Sequence, residues 1–241
     1  MRTLLAATAL VLAGAGAEAQ SAGGADPGYR VGVVSESGDI VTWLVPQEGG
    51  RLVQDRVIPL GIMPADIDGP HNLAVAPDGR AYYVTIAHGT PFGTLWKLAV
   101  PGDTLLGRAQ LELFPTTIAL TPDGELAFVA NSDFHGDHPR TNVVSVVHTP
   151  TMTTITHLPA CDMPHGVRSN AAGTRVYVSC MHSDELLEIE VATLRVARRA
   201  RTGTGHAQPA SAGHPAGHRP GQAAEHGASA PGTAAGPVPA G

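Results

Sequence analysis

The residues best placed to do chemistry in this 241-residue chain are histidines at matched distances from two glycines. His71 lies eight residues before Gly79 and His88 nine after it; His165 lies eight before Gly173 and His182 nine after it. If each glycine closes a hairpin turn, positions nearly equidistant from it return to the same end of a sheet. Each pair therefore shares one edge. Around the intervening Gly124, Thr117 and Asp133 take the equivalent positions, and Phe134-His135-Gly136-Asp137-His138 adds two imidazoles, His135 and His138, to that edge. Neutral imidazoles, with a carboxylate to hold the second ring nitrogen, suit a borderline transition metal ion such as Cu or Zn. The structural alternative is that these histidines hydrogen-bond the backbone of their loops.

Two cysteines flank the last of these hairpins. Cys161 precedes its first strand and Cys180 ends the returning one, so a disulfide, two free thiols, or ligation of a metal beside His165 and His182 are all open. Asp66 and Asp68 could work as an acid–base pair or could be solvated loop residues. Signatures of a serine-hydrolase elbow, a phosphate-binding loop and a His-Glu-x-x-His zinc site are absent from the sequence.

The elements that must position these groups are legible as an internal repeat. Pro77-Asp78-Gly79, Pro122-Asp123-Gly124 and Asn170-Ala171-Ala172-Gly173 are each followed by a β-rich run, and the glycines stand 45 and 49 residues apart. Such a period, made of short alternating apolar runs, predicts four-stranded propeller blades in an all-β fold. In the third unit the strands are expected at residues 165–169, 175–179, 186–191 and 196–201. The second-unit strands fall within 117–157, with 142–147 third, and the first-unit strands at 71–76, 81–85, 95–99 and 109–113. Residues 29–60 supply three strands with no inner one before them. About fifteen strands result, an open or incomplete arc of about four blades. His148 and His157 fall on outer strands and are read as surface residues. The run Arg195, Arg198, Arg199 and Arg201 is read as the charged side of a last strand, or as a docking patch for an acidic partner.

Tyr83-Val84-Thr85, Phe128-Val129-Ala130-Asn131 and Tyr177-Val178-Ser179, each shortly after a Pro-Asp-Gly-like turn, resemble the YVTN-type β-propeller repeat. Gly69-Pro70-His71-Asn72 and Met163-Pro164-His165-Gly166 are similar to the Pro-His-Gly that opens such repeats. The resemblance covers residues 29–204 and implies the fold. It leaves the activity open, because the superfamily includes surface-layer proteins, lactonase-like enzymes and the propellers of nitrous-oxide reductase and amine-dehydrogenase heavy chains. The reductase propeller binds copper through histidines at its channel mouth, which extends the metal reading to His71 and His165. Family members usually have about seven blades, so closure by a second copy is a further expectation.

The flanks differ in composition. Met1–Arg2, an apolar run from Thr3 to Gly16 and Ala17-Glu18-Ala19 make a signal peptide over residues 1–19, followed by a flexible leader over 20–28. Residues 205–241 are almost wholly Ala, Gly, Pro, Ser and His and are read as disordered; His206, His214, His218 and His226 there either bind metal loosely or are incidental. The formal net charge of −6 supplies no field for nucleic acid, and beyond the signal no run is long enough to span a bilayer. Two function classes follow. One is an exported, periplasmic or secreted module that binds a protein, a cell-envelope ligand or a metal ion at a His-lined rim. The other is a metal-assisted hydrolase or lactonase-like enzyme working at the channel mouth.

Overall fold

A computed structural model of the chain describes residues 29–61, 67–88, 93–132 and 141–203. The expected signal and leader, Asp66, Asp133, His135, His138 and the His-rich tail lie outside the described residues. Among the described residues the regular elements are fifteen strands and one short 3-10 turn, Glu48–Gly50. The strands are β1 (Val31–Ser35), β2 (Ile40–Pro46), β3 (Leu52–Pro59), β4 (Pro70–Val75), β5 (Ala81–Ile86), β6 (Thr94–Ala99), β7 (Leu105–Gln110), β8 (Pro115–Leu120), β9 (Leu126–Asn131), β10 (Val143–His148), β11 (Thr153–Pro159), β12 (Pro164–Ser169), β13 (Arg175–Cys180), β14 (Glu185–Glu190) and β15 (Arg195–Arg201). They form four antiparallel meanders: β1–β3 in the first blade, then β4–β7, β8–β11 and β12–β15. The first blade has three strands and the others four, as the repeat predicted.

The hairpins turn where the sequence places Gly. Gly79, Gly124 and Gly173 have φ of 69°, 75° and 68°, a region that favours residues without a Cβ, and each amide donates to the carbonyl three residues earlier. Alternating side chains then face opposite blades. Val41 and Trp43 of blade one pack on Tyr82, Val84 and Ile86 of blade two. Tyr83 and Leu95 meet Ile118, Ala127 and Val129 of blade three, whose Phe128, Val144 and Val146 meet Val176, Val178 and Leu187 of blade four. Inner strands β4, β8 and β12 consequently lie side by side.

One strand falls earlier than expected. β7 spans Leu105–Gln110 rather than 109–113, because Gly102 and Asp103 take φ of 99° and 53° and reverse the chain directly after β6. Leu105 and Leu106 then stand exposed on an outermost strand, so their apolar character did not report burial. Cys161 and Cys180 are joined as a disulfide with Cα atoms 5.9 Å apart, and both are buried in the core between blades three and four.

Candidate histidine rim

The inner strands begin with Pro70, Pro115 and Pro164, each paired across its hairpin with the last residue of the returning strand: Ile86, Asn131 and Cys180. Register therefore puts His71, Thr116 and His165 at equivalent positions, which corrects the expected Thr117 by one residue. Thr116 is small and buried, and its hydroxyl donates to the carbonyls of Ala130 and His165, both at 3.2 Å. The Thr85 hydroxyl makes the matching bond to the Thr116 carbonyl at 2.9 Å. These bonds stitch successive blades at one height. With a threonine between them, His71 and His165 approach across blade three, their ring centroids 5.8 Å apart at 78°.

Glu36, just past the end of β1, organises the other side. Its Oε2 lies 3.1 Å from His71 Nδ1 and its Oε1 3.0 Å from His88 Nε2, so one carboxylate of blade one holds both imidazoles of blade two. A carboxylate only accepts, which assigns protons to those two nitrogens. His71 Nε2 and His88 Nδ1 are then the ring nitrogens turned away from Glu36. Gly69 makes this approach feasible. It sits at φ 65°, and a Cβ there would run into the His88 ring. Its amide donates to Asp39 Oδ1 at 2.8 Å, fixing the start of the inner strand to blade one. Phe114 stands edge-on to both rings, with centroids 5.6 Å from His71 and 5.0 Å from His88. Burial, and next the neighbouring His71, hold His165 below the usual imidazole range, favouring its neutral form.

The structure thus brings together three of the expected residues, His71, His88 and His165. His182 pairs with Asp162, Nδ1 to Oδ2 at 3.9 Å, and Asp162 also accepts from Asn142 Nδ2 at 3.3 Å. Among the described residues no three His, Cys, Asp or Glu side chains converge on one point as a metal site. Asp68 is buried at 2% exposure, so it is not a solvated loop residue. His148 ends the third strand of its blade beside Glu125, and His157 on outermost β11 contacts the Ser145 hydroxyl at 2.9 Å; both rings are partly exposed. Sequence reasoning missed Glu36 and Phe114. Aligning the blades by their strand ends would have placed Glu36 beside the returning end of blade two.

No protein-family model matches the sequence. Nor does any curated protein match it. Solved structures do. A protein from Lactobacillus plantarum superposes with a TM-score of 0.59 at 18% identity, covering 73% of this chain and 53% of that one. A candidate 6-phosphogluconolactonase from Bacteroides uniformis gives 0.58 at 14%, covering 73% and 52%. A protein of unknown function from Desulfotomaculum acetoxidans gives 0.53 at 17%, covering 70% and 53%. The chain spans about half the length of these structures. At such identities the likeness carries the fold alone, and with the sheet topology it makes this chain an open arc of β-propeller blades.

Proposed function

We propose that the chain is an exported binding module whose ligand sits at the histidine rim, and that this ligand is a transition metal ion, Cu or Zn. The observation that supports it is the approach of His71 and His165 from non-adjacent blades, one ring oriented by Glu36 and the other kept neutral. A carboxylate behind an imidazole raises the basicity of the far nitrogen, the arrangement that metal-binding histidines use. Two imidazole donors leave the remaining positions of an ion to water or to an incoming group. Export is supported by the signal pattern of residues 1–19 and by the Cys161–Cys180 disulfide, a bond suited to an oxidising compartment. The test is metal analysis of the purified chain for Cu and Zn, with His71→Ala plus His165→Ala as control. Stoichiometric metal lost in the double variant is the expected result; metal-free protein that also fails to take up added Cu or Zn contradicts it. Deleting residues 206–241 separates rim binding from any uptake by the tail histidines.

The Glu36–His71 dyad supports a second reading, hydrolysis of a lactone or related ester by a general base at the same rim. Turnover of simple lactones that disappears in His71→Ala and is reduced in Glu36→Gln would favour it.

A further inference from the structure

The two end faces of the arc are chemically different. In blade one, Val34, Val41, Trp43 and Ile58 point into the core shared with blade two, so the alternate residues form the opposite face. Read across the strands, that face carries Val31–Leu44–Gln54, Val33–Thr42–Val57 and Ser35–Ile40–Pro59. None of these nine side chains is charged, though Gln54, Thr42 and Ser35 are polar, and Asp55 sits at the bulge between Gln54 and Arg56. Val33 is 44% exposed and Val57 41%. A sheet with one face in the core and the other uncharged and largely apolar is the pattern of a sheet covered on both.

Blade four ends otherwise. Its outer face carries Arg168–Tyr177–Glu188–Arg198 in one row and Arg175–Glu190–Arg195 in the next. Arg175 and Arg198 bind Glu188 at 3.0 and 3.2 Å, and Arg175 also reaches Glu190 at 3.1 Å. The equivalent row of blade three, facing blade four, is Ala119–Phe128–Val146–Thr156. The arc is therefore polar at one end and apolar at the other. Closing two arcs end to end would set arginines and glutamates against valines and desolvate them without new partners.

We infer that the free face of blade one is a self-association surface that takes the same face of a second copy, giving a two-fold dimer by sheet-on-sheet stacking. Like faces are complementary here because the paired residues of both are uncharged and largely apolar. Three strands of about six residues present roughly 300 Å² of flat sheet. With side-chain relief each copy buries on the order of 500 Å², near the lower limit of a specific interface. The dimer is accordingly weak, dissociating in the micromolar range.

Sedimentation velocity from low to high micromolar concentration tests it, on the whole chain and on the chain beginning at Gln20. The expected result is a reversible dimer that Val33→Glu weakens at least tenfold while Arg168→Glu leaves it unchanged. Val33 is exposed, so the variant should keep its circular dichroism and cooperative melt; if it does not, Val57→Lys reads the same contact. A chain monomeric throughout the range overturns the inference. So does a dimer weakened by Arg168→Glu and not by Val33→Glu, which would mean end-to-end closure. A dimer seen only from Gln20 onward would identify residues 1–19 as the occupant of the face, and would equally overturn it.

Discussion

Glu36 joins what the repeat alone keeps apart: it is the blade-one residue to which both histidines of blade two are tied. His71, His88 and His165 could be found by counting from the turn glycines, because hairpin geometry converts sequence distance into height on the blade. Glu36 could not, since its partners lie 35 and 52 residues away and its own blade has no histidine to mark the edge. His165 gives this scale its prediction. Its folded form takes a proton less readily than the ordinary imidazole near 6.5, through burial and then His71. The unfolded chain thus binds more protons in the window just below pH 6.5, so stability rises with pH there and is lost on acidification. Thermal melts between pH 7.5 and 5.5 should show the melting temperature falling, with a shallower fall in His165→Gln. Because His71 and Glu36 also face this site, the difference in slope between the two proteins is the diagnostic quantity; equal slopes would contradict the assignment.

At the level of strands, apolar alternation located nearly every inner and second strand, since these are packed on both faces between blades. It failed at β7, expected at 109–113, because Gly102 and Asp103 set the reversal earlier and the strand that follows begins with the exposed Leu105 and Leu106. The cysteines show the same division. Their positions at the two ends of one hairpin allowed a bond, but only the pairing of Pro164 with Cys180 brings the Cys161 end of the loop to the end of β13. The bond closes a loop of 19 residues, for which chain-entropy arguments give about 3 kcal/mol. Replacing both cysteines by serine should lower the unfolding free energy by about that amount in urea denaturation. The hydroxyls would also have to be accommodated in the core between blades three and four, where both sulfurs are buried. A loss below about 1 kcal/mol would show that the bond constrains little.

For the molecule as a whole, stability is distributed blade by blade, each core being shared by two neighbours. Among the described residues blade one packs against blade two alone, and it is fastened there by Asp103. That carboxylate accepts from Arg56 Nε at 2.6 Å and from the Tyr82 hydroxyl at 2.9 Å, while the Arg56 guanidinium lies 5.5 Å from the centre of the Trp43 ring. Burial pushes Asp103 up, but the bonds from Arg56 and Tyr82 more than offset it and hold it below the usual carboxylate range. Asp103→Ala leaves the Tyr82 hydroxyl and Arg56 without this acceptor and should cost about 1–3 kcal/mol. The loss should be local. Amide exchange is expected to speed up first in β1–β3, with β8–β15 retaining protection; uniform acceleration across all blades would show that the arc unfolds as one unit.

The sequence by itself determined the all-β repeat, its four-stranded blades with three strands over residues 29–60, and the placing of His71 and His88 at one edge. All of these follow from local periodicity and from turns that particular residue types enforce. Only the tertiary structure decided which histidines meet, that a carboxylate from another blade holds two of them, that the cysteines are bonded, and that one end of the arc is apolar and the other charged. These depend on strand register and on packing between blades, where residues far apart in sequence become neighbours and a shift of one position exchanges one face for the other.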